Sequence, residues 1–161
     1  MIDVVAAVFR DEENRVLIAQ RNFKKDHGGF WEFPGGKVEE KETRKQAIVR
    51  EIKEELDLDI SADRIFCQIP FHYPDGKEIN LIGIECTILG GELKLLEHED
   101  VQWVKIEELN KWKLTLPDVN VSVILREGLK NKDGKPEYVR ITKGKFEDVP
   151  SFLTMNEVIM Y

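Results

Sequence analysis

Hydrophobic residues in the first third of the chain fall in short, nearly unbroken runs. Residues 2–9 (IDVVAAVF) and 15–21 (RVLIAQR) are rich in branched aliphatic side chains, and the polar RDEEN between them reads as a turn. That pattern predicts two strands joined as a hairpin. NFKKDHGG reads as a loop. After FWEF, Pro34, Gly35 and Gly36 predict an irregular turn. From residue 44 the period changes. Ile48, Val49, Ile52 and Leu56 recur at helical spacing, within an arc of roughly 100°. Thr43 fits an N-cap, so a helix is predicted from there to Leu56, packing that stripe on a sheet.

Strand patterns then return. RIFCQIPFHY (64–73) and EINLIGIECTI (78–88) flank the tight turn PDGK, and ELKLL (92–96) reads as a short strand. Trp103 and Val104 begin an edge segment, and IEELNKW suggests one or two helical turns. After Pro117, DVNVSVILREGLKN predicts a second helix with Val121, Ile124, Leu125 and Leu129 on one side. KNKDGKPE is a polar hinge, followed by three short apolar segments, YVRI, SFLTM and EVIMY. Alternating strands and helices predict an α/β fold, a mixed sheet with helices on both sides. The expected organisation is one domain over 1–130, then a β-rich C-terminal extension over 131–161. The extension is apolar enough to add strands to the domain or to pair with a second subunit, so a homodimer is expected.

The 161 residues suit one domain with a core of its own, and 42% hydrophobic with 34% charged residues is the profile of a soluble globular protein. A net charge of −7 argues against a nucleic-acid polymer as partner, because no basic excess exists to neutralise phosphates. It leaves room for a small phosphorylated substrate, since bound metal ions invert a local field. Cys67 and Cys86 form no C-x-x-C pair and read as reduced thiols buried on strands of a cytoplasmic protein. The N-terminal apolar run is too short for a signal peptide or a membrane span. His27, His72 and His98 read as surface or loop residues, and Trp31 and Trp103 as core or edge packing.

One cluster breaks local rules. Glu51, Glu54 and Glu55 share a helix face at spacing i, i+3, i+4, where like charges repel. They also lie near the helix C-terminus, where the backbone dipole disfavours negative charge. Such a set calls for a compensating cation, and a hard divalent ion such as Mg²⁺ takes oxygen ligands. The plain alternative is a solvated acidic face.

The spacing of Gly36, Glu42, Arg50, Glu51, Ile52, Glu54, Glu55 and Leu58 resembles the signature of the Nudix hydrolase family, G-x5-E-x7-R-E-U-x-E-E-x-G-U with U aliphatic. The one departure is Asp57 at the final glycine. The lead-in Trp31–Lys37, the segment LEHEDVQW ending at Trp103, and LPDVNVSVI (116–124) are similar to the MutT-type branch. This resemblance implies a Nudix-type α/β/α sandwich. It implies metal ligation by Glu51, Glu54, Glu55, Glu97 and the Gly35 carbonyl, with Mg²⁺ or Mn²⁺ as cofactor. Glu51 and Glu97 are both open as general base, and Glu99 is the substitute for Glu97 if the loop register slips. Arg21 and Lys77 match phosphate-binding positions, Phe33 and Tyr73 the base pocket, and Asn120 the base edge with Asp118 as rival. Gly36, Glu42 and Arg50 are expected to be structural, the last two as an ion pair holding the loop to the helix. Tyr73 has a second reading as strand packing, and Asn120 as a residue satisfying backbone amides at a helix start.

The implied activity is hydrolysis of a nucleoside or deoxynucleoside triphosphate to monophosphate and pyrophosphate. An oxidised purine such as 8-oxo-dGTP and a pyrimidine such as CTP or dCTP both stay open. The alternatives are an ADP-ribose or dinucleoside polyphosphate hydrolase and, in another class, a nucleotide-sensing module without turnover.

Overall fold

The computed structural model describes residues 1–128 and 159–160. Ten regular elements follow in chain order: β1 (Ile2–Phe9), β2 (Arg15–Gln20), β3 (Trp31–Glu32), β4 (Gly35–Lys37), α1 (Arg44–Leu56), β5 (Asp59–His72), β6 (Glu78–Gly90), β7 (Asp100–Lys105), α2 (Leu116–Gly128) and β8 (Ile159–Met160). A 3-10 turn over Ile106–Lys111 precedes α2. The strands form two sheets, β4-β1-β6-β5-β8 and β3-β2-β7. The β1–β6 pair is parallel and the others are antiparallel, so the larger sheet is mixed.

Each face of this layer carries its own core. On one side, Val5, Ala7, Phe9 and Leu17 meet Ala47, Ile48, Ile52 and Leu56 of α1. On the other, Ala6, Val8, Val16 and Ile18 meet Val121, Ile124 and Leu125 of α2. Alternate side chains of one strand point to opposite faces, and both faces are covered. That is why β1 and β2 read as continuous apolar runs rather than alternating ones. The arrangement is an α/β/α sandwich.

Several sequence expectations change. β1 and β2 are not a hairpin. Past one bridge, Arg10–Val16, they part into different sheets, β1 pairing with β4 and β6, β2 with β3 and β7. Gly35 and Gly36 are strand residues, paired with Ala6 and Val5. A Cβ at Gly35 would collide with the Val5 carbonyl, so glycine here serves close backbone approach rather than a turn. Val49 is 39% exposed, and Ala47 takes its place on the buried stripe. Residues 92–96 form no strand. The Lys94 and Leu96 amides instead donate to the Leu56 and Glu55 carbonyls, satisfying the end of α1. β5 begins at Asp59, earlier than its sequence pattern suggested.

Other expectations hold. Thr43 caps α1 in a reciprocal box with Gln46, and Cys67 and Cys86 are buried, unpaired thiols on β5 and β6, both pushed up to about 12 by burial. Leu129 and the segments YVRI and SFLTM lie outside the described residues. Of EVIMY, Ile159 and Met160 pair with Gln68 and Cys67 on β5. Among the described residues, no helix is long and apolar enough to cross a membrane.

Candidate active site

The signature positions converge where β4, the second half of α1 and the loop before β7 meet. Gly36 faces Glu51 so closely that a Cβ would overlap the carboxylate. Arg50 is the hub beside it. Its guanidinium donates to both Glu42 oxygens (2.6 and 3.0 Å), to the Lys37 carbonyl (3.0 Å), to Glu51 (2.9 Å) and to Glu54 (3.2 Å). These contacts tie the 37–42 loop to the helix and raise the Arg50 pKa, the Glu42 hydrogen bond chief among the causes that raise it. Glu42 is held below the usual carboxylate range, first by that bond.

A cleft of about 210 Å³ opens next to this hub. Four carboxylates line it, Glu32, Glu51, Glu55 and Glu97, with the cations Arg21 and Lys25, and with Asn22, Gly35 and His98. Glu54 is not among the lining groups; its side chain is 52% exposed on the Arg50 side. Glu55, next in sequence, is only 5% exposed, and its Oε2 has no hydrogen-bond partner. Burial, then the charges of Glu32, Glu51 and Glu97, push its carboxyl up to about 9, against a backbone hydrogen bond from Gly35. Glu51 is also raised, by burial first, with Arg50 pulling the other way. Glu97 lies 3.8 Å from Lys25. Glu99 instead accepts from the Phe23 amide at 3.4 Å.

Four residues without an expected role line this cleft, Asn22, Lys25, Glu32 and His98, and the last two are bonded to each other. Glu32 is bonded by Arg21 (2.7 Å) and by His98 (3.0 Å). Burial alone would raise its pKa, but those two partners hold it below the usual range. His98 is a loop residue, as expected, but its side chain is turned inward and 5% exposed. The signal for Glu32 was a lone charge between Trp31 and Phe33 in an otherwise aromatic segment, since a buried charge needs a partner. For His98 the sequence offered only its position beside Glu97.

The second group of expected residues lies on and around α2. Asp118 is buried, accepts from the Phe33 amide (3.3 Å) and from the Thr115 hydroxyl, and is pushed up to about 7 by burial and then by Glu32. Asn120 is 2% exposed, and neither amide atom has a partner among the described residues. It satisfies no backbone group at the helix start, where the Thr115 carbonyl takes the Val119 amide instead. Phe33 is 3% exposed and belongs to the core. Tyr73 is partly buried, packed edge-on to Phe71, with the Lys77 ammonium 5.9 Å from its ring centroid. Lys77 and Tyr73 do not line the acidic cleft.

Among the described residues, no three acidic, histidine or cysteine side chains are already drawn together as a cation cage. Arg50 engages Glu51 and Glu54 instead. The residues nonetheless fit a hard divalent ion. Glu55 is buried, has one oxygen without a partner among the described residues, and is surrounded by three further carboxylates, an arrangement a cation relieves.

The NUDIX domain family model matches residues 2–124. A relative named CTP pyrophosphohydrolase, from Escherichia coli K12, is 35% identical over 121 residues, covering 74% of this chain and 87% of that protein. Another, the 8-oxo-dGTP diphosphatase of Proteus vulgaris, is 43% identical over 74 residues, which is 46% of this chain and 66% of that one. The crystal structure of the MutT protein from Methanosarcina mazei Go1 superposes with a TM-score of 0.71 at 26% identity, covering 81% and 96% of the two chains. A match over most of the length, with the signature residues gathered around one cleft, makes this chain a member of the Nudix family, of the MutT type.

Proposed function

We propose that this chain is a metal-dependent pyrophosphohydrolase that splits nucleoside or deoxynucleoside triphosphates into monophosphate and pyrophosphate. One observation carries the reading: a buried Glu55 among acids, one of its oxygens without a partner among the described residues, with Arg21 and Lys25 in the same cleft. An acid short of a partner beside cations that suit phosphate is the set of groups that a polyphosphate bound with a metal ion would use. The names of the two relatives, CTP pyrophosphohydrolase and 8-oxo-dGTP diphosphatase, agree with it.

Glu51, Glu54, Glu55, Glu97 and the Gly35 carbonyl are the groups that would hold Mg²⁺ or Mn²⁺. Bound there, the ion supplies charge neutralisation and Lewis acidity toward a phosphoryl oxygen. Arg21 neutralises phosphate charge that the ion leaves uncovered, held ready by its hydrogen bond to Glu32. Glu97, whose carboxylate lies 3.8 Å from Lys25 and is otherwise without an ion pair among the described residues, accepts the proton of the attacking water. Glu51 is poorly placed for that step while Arg50 holds one of its oxygens. At the other end, Asn120 and Asp118 read the base edge, Tyr73 stacks on the base, and Phe33 supports Asp118 through its amide. Lys77 lies over Tyr73, outside the acidic cleft, so its expected role toward phosphate has no support from its position. Two buried free thiols suit a cytoplasmic protein.

A panel with Mg²⁺ or Mn²⁺ tests this: pyrophosphate release from the common triphosphates and 8-oxo-dGTP, and AMP release from ADP-ribose. Selective turnover of one or two triphosphates is expected. Equal, feeble turnover of all of them rejects the reading. With the preferred substrate, E97Q lowers kcat on the order of 100-fold or more; a smaller loss in E97Q than in E51Q moves the base to Glu51.

A further inference from the structure

Both oxygens of Glu32 are taken, and by groups from different parts of the chain. Oε1 accepts from Nη1 of Arg21, just past β2, at 2.7 Å. Oε2 faces Nε2 of His98 at 3.0 Å. An ionised carboxylate only accepts, so Nε2 carries the hydrogen. The loop that holds His98 also holds Glu97, one residue before it. Its other side-chain ties are weak and wet: Glu99 to the Phe23 amide at 3.4 Å, and Glu97 to Lys25 at 3.8 Å with both side chains largely exposed. The Glu32–His98 contact is enclosed, its partners 14% and 5% exposed. All three members of the network line the cleft.

We propose that Glu32 is a positioning residue whose carboxylate clamps Arg21 and His98 together, so that the phosphate-facing guanidinium and the Glu97 loop are held as one unit. This rests on the hydrolase reading above for its effect on turnover, though not for the clamp itself. Placing a carboxylate beside a polyphosphate site invites repulsion. Here two donors absorb its charge, and it returns their alignment. The Arg21 side chain is fixed from the far side as well, because its Nε donates to the Asp26 carbonyl at 2.9 Å. Among the described residues the His98 ring has no second anchor: its Nδ1 is buried without a partner. The Glu97 loop therefore depends on Glu32 more than Arg21 does.

The experiment separates the two arms. In H98A, Arg21 keeps its partner while the loop loses its one enclosed side-chain tie and keeps the backbone bonds of Leu96 to Glu55 and Glu99 to Gln20. Expected is a kcat lowered about 10-fold with KM changed less than about twofold, the scale typical of groups that orient a ligating or catalytic residue. In H98Q the side-chain amide offers an N–H near the place of Nε2, and most of the loss is restored. E32A removes both arms and lowers kcat/KM about 100-fold; adding H98A to it costs no more than about twofold further, because the two act in series. Amide hydrogen exchange at residues 97–99, measured without metal or nucleotide, speeds up in H98A and E32A and not in H98Q. Wild-type kcat together with unchanged exchange in H98A overturns the clamp and leaves the hydrolase reading intact. Fast exchange in H98A from a protein that cleaves no triphosphate does the reverse. Should E32A not fold, the H98A and H98Q pair decides the matter.

Discussion

The end of α1 and the start of α2 both carry polar groups toward the interior, but under opposite conditions. At α1 the acids come in number and divide within one residue step: Glu54 is half in water and paired with Arg50, while Glu55 is buried with an oxygen unpaired. At α2 the enclosed polar groups are Thr115, Asp118, Asn120 and Ser122, and of these Asp118 alone is ionisable. The first arrangement tolerates charge only with a cation at hand. The second tempers charge and adds hydrogen-bond choice, since burial raises Asp118 to about 7 and so lets it exist in both protonation states near neutral pH. One end is therefore built to be completed by an ion, the other by a group with the right donors and acceptors.

Breaking the α1 end gives the largest expected effect. E55Q removes the buried charge that a metal ion would satisfy, and turnover falls on the order of 100- to 1000-fold, comparable to deleting one electrostatic contact to a transition state. Stability moves the other way. The Glu55 carboxyl is raised from 4.5 to about 9 in the folded chain, so the fold favours its protonated form. Its contribution is complete below about pH 4.5 and is lost as pH rises toward about 9. Metal-free wild type should thus lose Tm over that window, and E55Q should lose less. Mg²⁺ should restore wild type at pH 8 and do little for E55Q. Thermal melts of both proteins at pH 5 and 8, with and without the ion, check all of this; parallel pH slopes would remove the assignment.

The α2 end gives a smaller effect, and one of selectivity rather than rate. Asp118 is raised from 3.8 to about 7, by burial and then by Glu32, with Thr115, Phe33 and Arg21 opposing. Its stabilising contribution is therefore full below about pH 4 and fades as pH rises through about 7. Across that same range it changes from donor to acceptor. The ratio of kcat/KM for 8-oxo-dGTP to that for dCTP should drift between pH 6 and 8 in the wild type. D118N, which cannot titrate, should hold the ratio flat and change its value about tenfold. Steady-state rates for the two substrates at three pH values suffice. A drift preserved in D118N assigns the titration elsewhere.

This contrast also explains what could be read in advance. The acids of α1 are local: three glutamates on one face, with Gly36 and Glu42 at fixed distance, are visible without any fold. The layered architecture was legible for a similar reason, since apolar runs and helical stripes are properties of single elements. Pairing was not. β1 and β2 are neighbours in sequence but belong to separate sheets, a choice made by what lies on either side of each strand. The Gly35–Gly36 pair looked like a turn because glycine usually frees the backbone; here it admits β1 and the Glu51 carboxylate at short range. The Glu32–His98 contact joins residues 66 apart, and nothing local to either one announces the other. Asp118 and Asn120 could be named through the family resemblance alone, because a buried polar residue on a helix looks like any other until its surroundings are known.

The smallest expected effect concerns the one departure from the family signature. Asp57 closes α1 in a left-handed conformation, φ 56° and ψ 33°, where glycine is the usual choice. D57G relieves the backbone cost that a Cβ incurs there. It also gives up contacts to Lys53 at 3.3 Å and Lys94 at 3.5 Å, which are exposed and weak. The terminal carbonyls of the helix do not depend on this side chain: the Lys94 and Leu96 amides already satisfy Leu56 and Glu55, and the Asp57 amide reaches Lys53. Gain and loss are both small, so Tm should move by no more than about 2 °C in either direction, at the scale set for a chain of this size, and kcat should not change. A severalfold change in kcat would show that residue 57 reaches the site through Glu55, two positions back, and that the acidic end of α1 is less self-contained than its hydrogen bonds indicate.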